Sequence, residues 1–291
     1  MTNPRHKINP TLNLFKSRDV EQVKRWLSEG ADVNGRNNKG NTALMNAARK
    51  GWVEAVEVLL DAGAAVDLLN EKGVGVNMMV ARGHSSICVD KLMAAGMDPF
   101  LRDDQDRTGL MVATHPDVVR SLVKLGLSVH DVDKNGKGAL HHLASLEQYC
   151  PPASIEALLS LGADLELRDD QGNTPLLCSG HQNLFKSLLE NGARADAFNN
   201  KKNGVLHVIA LHRLGIDPEV SELALSKGAD PYLENHEGKL PIDLFQAHLD
   251  RLYEGHPVRP SFERVVNLLQ CVALDRATIP ATAVRQGGPR L

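Results

Sequence analysis

The sequence predicts an all-α protein built from a tandem helix–turn–helix unit. Two short phrases recur in step along its 291 residues. The first is a glycine followed by a small residue and often an aspartate, as in Gly162-Ala163-Asp164. The second is typified by the stretch at 172–176, Gly-Asn-Thr-Pro-Leu. A composition dominated by Ala, Leu and Val, with only 4% aromatic residues, suits closely packed helices better than a β-sandwich.

Both phrases follow one spacing. The glycines of the first phrase stand at positions 30, 63, 96, 126, 162, 192 and 228, in steps of 33, 33, 30, 36, 30 and 36. The second phrase begins at positions 40, 73, 106, 136, 172, 202 and 238, and its steps are the same. Self-similarity at such a period is the signature of a repeat architecture.

Each phrase has a local structural role. The glycine of the first phrase follows a Leu-rich amphipathic stretch and can adopt the left-handed conformation that ends a helix. In the second phrase, Thr174 can cap the next helix, and Pro175 fits its first turn. The segment between them, as at 168–172, is rich in the residues that favour tight turns. The unit is therefore helix, short loop, helix and protruding turn.

This unit resembles the ankyrin repeat, with its T-P-L-H-x-A and G-A-D-V-N phrases. The best matches are 40–70 and 172–197, and the resemblance covers roughly residues 11 to 270. It implies a solenoid whose turns protrude as fingers, with first helices on a concave face and second helices on the convex back. It also implies a structural role for His141 and His207, which occupy the histidine of T-P-L-H and bridge neighbouring turns by hydrogen bonds.

The spacing divides the chain into five segments. They are an N-terminal extension (1–10), a capping helix pair (11–37), six ankyrin-like repeats (38–233), a C-terminal capping repeat (234–270) and a flexible tail (271–291). The 30-residue repeats lose part of the segment between their two helices and the 36-residue repeats extend it, which predicts an uneven concave side. Asn77 stands where leucine is expected, which indicates either a degenerate repeat with a shifted first helix, or a soft spot or contact surface.

Composition and charge limit the classes of partner and the cellular compartment that we expect. A net charge of −3 and a pI near 6.5 argue against a general nucleic-acid binder. No apolar run approaches the ~20 residues that cross a bilayer, and the N-terminus lacks the apolar region of a signal peptide. The four cysteines are scattered, as expected for reduced thiols. We expect a cytoplasmic protein without a membrane partner; delivery into a host cell is an alternative.

No catalytic residue, metal site or cofactor is predicted. Phosphate-loop, nucleophile-elbow and H-E-x-x-H motifs are absent from the sequence. His142, Cys178 and His181 follow none of the usual zinc spacings. An enzyme whose active site lies in the extended repeats stays as an alternative, and it predicts loss of turnover on substitution of His248 or His256.

The predicted function is protein binding through the concave groove and the fingers. The pairs Asp103-Asp104 and Asp169-Asp170 are expected on finger tips in full solvent, where they favour a partner with a basic centre. Trp52 is either a core residue or a contact anchor. The predicted partner-binding residues are Arg49, Lys50, Trp52, Arg82, Asp103, Asp104, Asp106, Lys134, Asp169, Asp170, Lys201 and His212.

The sequence leaves the identity of the partner and the biological role open. Many repeats, no appended domain and a drifting consensus are typical of a bacterial or bacteriophage scaffold. Such a chain could be an effector that binds a host protein, or an inhibitor that neutralises a toxin or enzyme. A nucleic-acid-associated scaffold, a purely structural spacer and self-association are the remaining alternatives.

Overall fold

A computed structural model describes residues 10–17, 19–146, 152–211 and 217–278. Throughout these ranges the chain is helical and has no β-strand; an isolated antiparallel bridge joins Phe198 to Gly204. The chain divides into two compact units, Met1–Asp164 (unit 1) and Leu165–Leu291 (unit 2). The predicted all-α class is confirmed.

Unit 1 consists of successive helix pairs. The first helices pack on each other in one layer, and the second helices pack in another. The pairs are α1 Pro10–Leu14 with α2 Val20–Ser28; α3 Ala43–Lys50 with α4 Val53–Asp61; α5 Val76–Ala81 with α6 Ser86–Ala94; a 3₁₀ helix Gly109–Val112 with α7 Pro116–Lys124; and α8 Ala139–Ala144 with α9 Pro152–Ser160.

Unit 2 repeats this plan. Its first helices pack on one another, as do its second helices. The pairs are a 3₁₀ helix Leu176–Cys178 with α10 Gln182–Glu190; α11 Val205–Leu211 with α12 Pro218–Ser226; and α13 Pro241–Leu249 with α14 Arg259–Thr278.

The last helix is longer than predicted. It ends at Thr278, so residues 271–278 of the predicted flexible tail are helical. Packing explains the extension, because α14 lies against α12 and α13, and the hydroxyl of Tyr232 donates a hydrogen bond of 2.7 Å to the carbonyl of Val272. The remainder of the predicted tail (279–291) and most of the predicted N-terminal extension (1–9) lie outside the described residues.

The recurring glycine ends helices as predicted. Gly63 has a φ of 84°, and its N–H donates to the carbonyl of Leu60 over 2.9 Å. The N–H of Ala64 then donates to Leu59, also over 2.9 Å. These bonds satisfy carbonyls that the last turn of α4 would otherwise leave without a partner.

A threonine caps α3 but neither of the two 3₁₀ helices. The side chain of Thr42 accepts the N–H of Met45, 3.3 Å away, and so caps α3. Thr108 and Thr174 precede the two 3₁₀ helices, and their buried hydroxyls have no partner among the described residues. The predicted capping role of Thr174 is therefore wrong, because the tighter turn that follows does not offer the same N–H to the hydroxyl.

The 30-residue repeats are shortened in the first helix itself. Where α3 has eight residues, the corresponding helices at Gly109–Val112 and Leu176–Cys178 have four and three and are 3₁₀ turns. The prediction placed the loss between the two helices. The structure places much of it within the first-helix layer. The extensions of the 36-residue repeats fall mainly at 147–151 and 212–216, outside the described residues.

Asn77 neither shifts its helix nor faces a partner. Its helix begins at Val76, which is the position corresponding to Ala43 in α3. Asn77 is 1% exposed, and its amide nitrogen donates to the carbonyl of Leu101 over 2.8 Å. The predicted helix shift and the predicted contact surface are therefore wrong, because the helix keeps its register and the side chain forms an internal bond to the segment that leads into the next finger.

Candidate functional site

Each finger turn is closed by its own first residue. In the finger at 103–107, the N–H of Asp103 donates to the carbonyl of Arg107. The Oδ1 atom of Asp103 accepts the backbone N–H groups of Gln105 and Arg107, each over 3.0 Å. The same arrangement recurs at Asn37, Asn70, Asp133, Asp169, Asn199 and Asn235.

This geometry corrects the predicted exposure of two carboxylates. Asp103 is 8% exposed and Asp169 is 6% exposed. The guanidinium of Arg107 donates to the Oδ2 atom of Asp103 from Nε (2.8 Å) and from Nη2 (2.6 Å). Burial acts to raise the pKa of Asp103, but the bonds from Arg107 and Gln105 together hold that pKa below its ordinary value. Asp104 and Asp170 are exposed, as expected.

Successive fingers are bonded to each other within each unit. In unit 1, the backbone N–H of Lys134 donates to the carbonyl of Gln105 over 3.1 Å, and its ammonium donates to the carbonyl of Asp104 over 2.8 Å. In unit 2, the N–H of Asn200 donates to the carbonyl of Gln171 over 2.9 Å. The fingers of each unit therefore form a fixed row, which holds their exposed side chains in place.

A cleft opens in the first-helix layer of unit 1, where the repeat is shortened. Its volume is about 550 Å³. Met111 and Val112 at the end of the short helix, and Ala113 and Thr114 directly after it, contribute to the lining of this cleft. The lining residues are Arg49, Arg82, His84, Arg107, Met111, Val112, Ala113, Thr114, His142, Leu143, Ser145 and Leu146.

A close backbone contact brings two of the arginines together. A Cβ atom placed on Gly83 would lie 2.6 Å from the carbonyl oxygen of Ala48 and 3.4 Å from that of Arg49. Only a residue without a side chain permits this approach between the ends of α3 and α5. Arg49 and Arg82 consequently extend into the same cleft.

The arginines of the cleft differ in their partners. Arg107 is bonded to Asp103. Arg82 is half-buried, and neither it nor the exposed Arg49 has an ion pair or side-chain hydrogen bond within the described residues. Burial lowers the pKa of Arg82, and the charges of Arg107 and Arg49 lower it further, with Asp103 opposing them.

The histidines His84 and His142 also line the cleft. The Nε2 atom of His142 lies 2.9 Å from Oδ2 of Asp133. Burial lowers the pKa of His142 although Asp133 acts to raise it, so the ring is neutral at neutral pH and donates its N–H to the carboxylate. His84 and the nearby His115 pack edge to face, with ring centroids 5.9 Å apart.

The predicted partner-binding residues are distributed over several surfaces. Arg49 and Arg82 share the cleft, whereas Lys50 and the half-buried Trp52 line a separate shallow depression with Phe15. His212 lies outside the described residues. The other exposed members of the predicted set lie on fingers: Asp104, Asp106 and Lys134 in unit 1, and Asp170 and Lys201 in unit 2.

Arg107 and His84 line the cleft but are absent from the predicted partner-binding set. Arg107 precedes its helix, whereas Arg49 lies in the last turn of α3 and Arg82 directly follows α5. The spacing of four residues between Asp103 and Arg107 within a finger was a usable signal. His84 lies three positions after Ala81, the last residue of α5, and carries no distinctive pattern.

The residues that were considered for metal binding or catalysis have other contacts. Within the described residues, no three metal-ligating side chains converge. Cys178, which corresponds to His142, places its Sγ atom 3.8 Å from Oδ2 of Asp169. His248 packs on Phe262, with ring centroids 5.8 Å apart. His256 lies on the ring of Tyr253, at 5.0 Å.

The predicted bridging role of a T-P-L-H histidine is confirmed at His207. Its Nδ1 atom accepts the N–H of Gly204 over 3.2 Å, and its Nε2 atom bonds to the carbonyl of Lys239, 32 residues further along. His141 is fully buried and accepts the N–H of Gly138 in the same way. No helix in the described ranges has the length and apolar character needed to cross a membrane.

Comparison with known proteins agrees with this architecture. A family model of ankyrin repeats, three copies, matches residues 14–79. The human ankyrin repeat and SOCS box protein 16 is 27% identical over 272 residues, which cover 82% of this chain and 56% of that protein. The putative ankyrin repeat protein L271 of Acanthamoeba polyphaga mimivirus is 34% identical over 95 residues, or 30% of this chain and 13% of that protein.

A third relative, the human SH3 and multiple ankyrin repeat domains protein 2, is 28% identical over 58% of this chain and 10% of its own length. The chain thus spans about half the length of the first of these relatives and less of the others. The similarity lies in the repeats, which generally mediate protein–protein interaction. The family model thus identifies ankyrin repeats at residues 14–79, and helix pairs with bonded finger turns of the same plan recur along the rest of the described chain.

Proposed function

We propose that the chain is a non-catalytic protein-binding module whose contact surface is the first-helix face of unit 1 with its row of fingers. The observation that carries this proposal is the open cleft of about 550 Å³, which contains arginines without a partner among the described residues. A surface with unpaired charges and an apolar floor is suited to a partner that supplies the missing contacts.

Rigidity supports the same proposal. The fingers of unit 1 are bonded to one another through Lys134, Gln105 and Asp104. The Asp103 and Arg107 side chains are also fixed before any partner arrives. Side chains that are already ordered lose little entropy on docking, so their contacts contribute more fully to affinity.

The buried finger carboxylates change the kind of partner that we expect. The carboxylates of Asp103 and Asp169 are buried and bonded within their own turns, so these residues leave the proposed contact set. They are two of the four paired aspartates on which the prediction of a basic partner depended. Asp104, Asp106 and Lys134 stay in the set as exposed finger positions. A nucleic-acid partner is disfavoured, because a chain with a net charge of −3 lacks the excess of positive charge that neutralises many phosphates.

Site-specific photocrosslinking tests the surface directly. A photoreactive amino acid is placed at His84 or Ser145, which are exposed beside the cleft, and at Asp90 or Arg120, which are exposed on the second helices. After irradiation in a lysate of the source cells, we expect a discrete partner adduct from the first pair of positions only. Adducts from Asp90 and Arg120 alone would contradict the proposal.

The same captured partner resolves the biological role. We propose that the chain acts in the cytoplasm by occupying its partner, either as an effector or as an inhibitor. If the partner is an enzyme or toxin, its activity measured with and without the purified chain distinguishes the two roles: inhibition lowers that activity in proportion to the occupied fraction.

A further inference from the structure

The cleft of unit 1 holds more positive than negative charge. Arg49, Arg82 and Arg107 bring three guanidinium groups to it. Two carboxylates oppose them: Asp103, which is bonded to Arg107, and Asp133, which is bonded to His142. With His142 neutral, these five groups leave one positive charge unbalanced. A half-buried charge without a partner is unfavourable, so the excess does not serve the stability of the unit.

Arg82 is the centre of this excess. It is half-buried between Arg49 and Arg107, and burial together with these like charges lowers its pKa. Part of its hydration has therefore been lost before any ligand binds. An anion that reaches Arg82 would gain a charge-assisted hydrogen bond without the full desolvation cost on the protein side.

Apolar side chains form part of the remaining lining of the cleft. Met111 and Leu143 are buried at its base, and Val112 and Leu146 are half-buried beside them. Guanidinium groups next to an apolar wall suit a peptide in which an acidic residue adjoins an apolar one. One unbalanced charge matches a single carboxylate better than a phosphate dianion.

We propose that this cleft binds an acidic segment of the partner protein, with Arg49 and Arg82 holding a carboxylate side chain and Met111 and Leu143 contacting an apolar side chain next to it. The inference rests on the proposed function, since it names the chemistry of the partner at the same face. It reverses the charge that the finger carboxylates first predicted for the partner.

Fluorescence anisotropy with a designed peptide tests the inference. The probe is a fluorescein-labelled ten-residue peptide of alternating Glu and Leu, titrated with the full chain at about 50 mM salt, where screening is weak. The matched control peptide has Gln in place of every Glu. We expect saturable binding of the Glu peptide, and binding of the Gln peptide weaker by at least about tenfold.

Two variants of the chain identify the site. Arg82→Gln is expected to weaken binding of the Glu peptide about tenfold. Lys124→Gln removes one positive charge from an exposed position on α7 and is expected to leave binding unchanged. Because Arg82→Gln removes repulsion and breaks no bond that the described residues make, its melting temperature should equal or exceed that of the native chain. A loss of binding therefore cannot be assigned to unfolding.

Three results would overturn the inference: equal binding of the Glu and Gln peptides, no effect of Arg82→Gln, or tighter binding of a single-stranded oligonucleotide of equal charge. The photocrosslinking experiment separates this failure from failure of the proposed function. If adducts form from His84 and Ser145 while the Glu peptide does not bind, only the acidic-segment inference fails. If adducts form only from the second helices, the proposed function fails as well.

Discussion

The imidazole of His142 and the carboxylate of Asp133 bond to each other over 2.9 Å, nine positions apart in the sequence. The other oxygen of Asp133 accepts the backbone N–H groups of Asn135 (2.8 Å) and Lys137 (3.0 Å). One carboxylate thus closes a finger turn and fastens it to the helix that follows. His142 also lines the cleft, so the finger and the cleft share this pair.

This pair predicts that stability decreases in mild acid. Burial, opposed by Asp133, lowers the pKa of His142 below 6.5, its value in an unfolded chain. As the pH falls from 6.5 towards the lowered folded value, the unfolded chain gains a proton that the native chain does not, and the free energy of unfolding decreases. Urea denaturation at pH 7.5 and pH 5.5 measures this decrease in the free energy of unfolding. The two pH values lie about one unit on either side of the ordinary histidine pKa.

The matched variant for this prediction is His142→Gln. Glutamine keeps an amide donor for Asp133 but does not titrate, so the difference in stability between the two pH values should be smaller in this variant. His207, whose pKa burial also lowers, keeps its own contribution in both proteins. An equal loss of stability in the two proteins would show that His142 does not titrate as described.

A second prediction compares the two aspartates of one finger. Asp169→Ala removes the acceptor of the N–H groups of Gln171 and Asn173, which lie 2.9 and 2.8 Å from it. We expect a loss of about 1–3 kcal/mol in the free energy of unfolding. Asp170→Ala alters an exposed side chain and should change stability by less than about 0.5 kcal/mol. Equal effects, measured by urea denaturation, would contradict the assigned burial.

These aspartates show which features of the fingers the sequence predicts and which it does not. The spacing predicted the finger turns, and turn propensity correctly placed Asp and Asn in them. It assigned both residues of a pair such as Asp169-Asp170 to solvent, because a turn-forming dipeptide has no periodic pattern that separates an inward from an outward side chain. The backbone hydrogen bonds that bury the first aspartate depend on the local turn geometry, which residue type alone does not specify.

The cleft was harder to predict than the repeat. The step of 30 residues indicated a deletion, but the shift from α-helix to 3₁₀ helix at Gly109–Val112 follows from how the shortened segment packs between α5 and α8. Arg49 and Arg82 belong to the predicted partner-binding set. Their position beside Arg107 required the close approach at Gly83, a three-dimensional contact that no sequence period encodes.

A third prediction tests that approach. Gly83→Ala places a Cβ atom 2.6 Å from the carbonyl oxygen of Ala48, and the backbone must move to relieve the overlap. We expect a loss of about 1–3 kcal/mol in stability. In the control Gly109→Ala, the nearest atom is the Cβ of Ala81 at 3.5 Å, an ordinary contact, so stability should not fall. Similar melting temperatures for the two variants would argue against close packing of α3 and α5 at Gly83.

The last prediction concerns the origin of the cleft. If the missing turn of the first helix creates the open space, restoring three residues should close it. Inserting Ala-Ala-Ala between Val112 and Ala113 gives this repeat the length of the 33-residue repeats, and alanine favours helix. We expect higher helicity by circular dichroism, unchanged or greater stability, and binding of the Glu–Leu peptide weakened about tenfold.

The control insertion is Gly-Gly-Gly at the same point. It adds the same length of chain, but glycine disfavours helix by about 1 kcal/mol per residue relative to alanine, so the added residues should form a loop and leave the cleft open. Peptide binding should then stay close to that of the native chain. Unchanged binding of the Glu–Leu peptide despite a longer helix would contradict the prediction. The peptide would then need none of the volume that the new turn fills, so the shortened helix would not form the binding space.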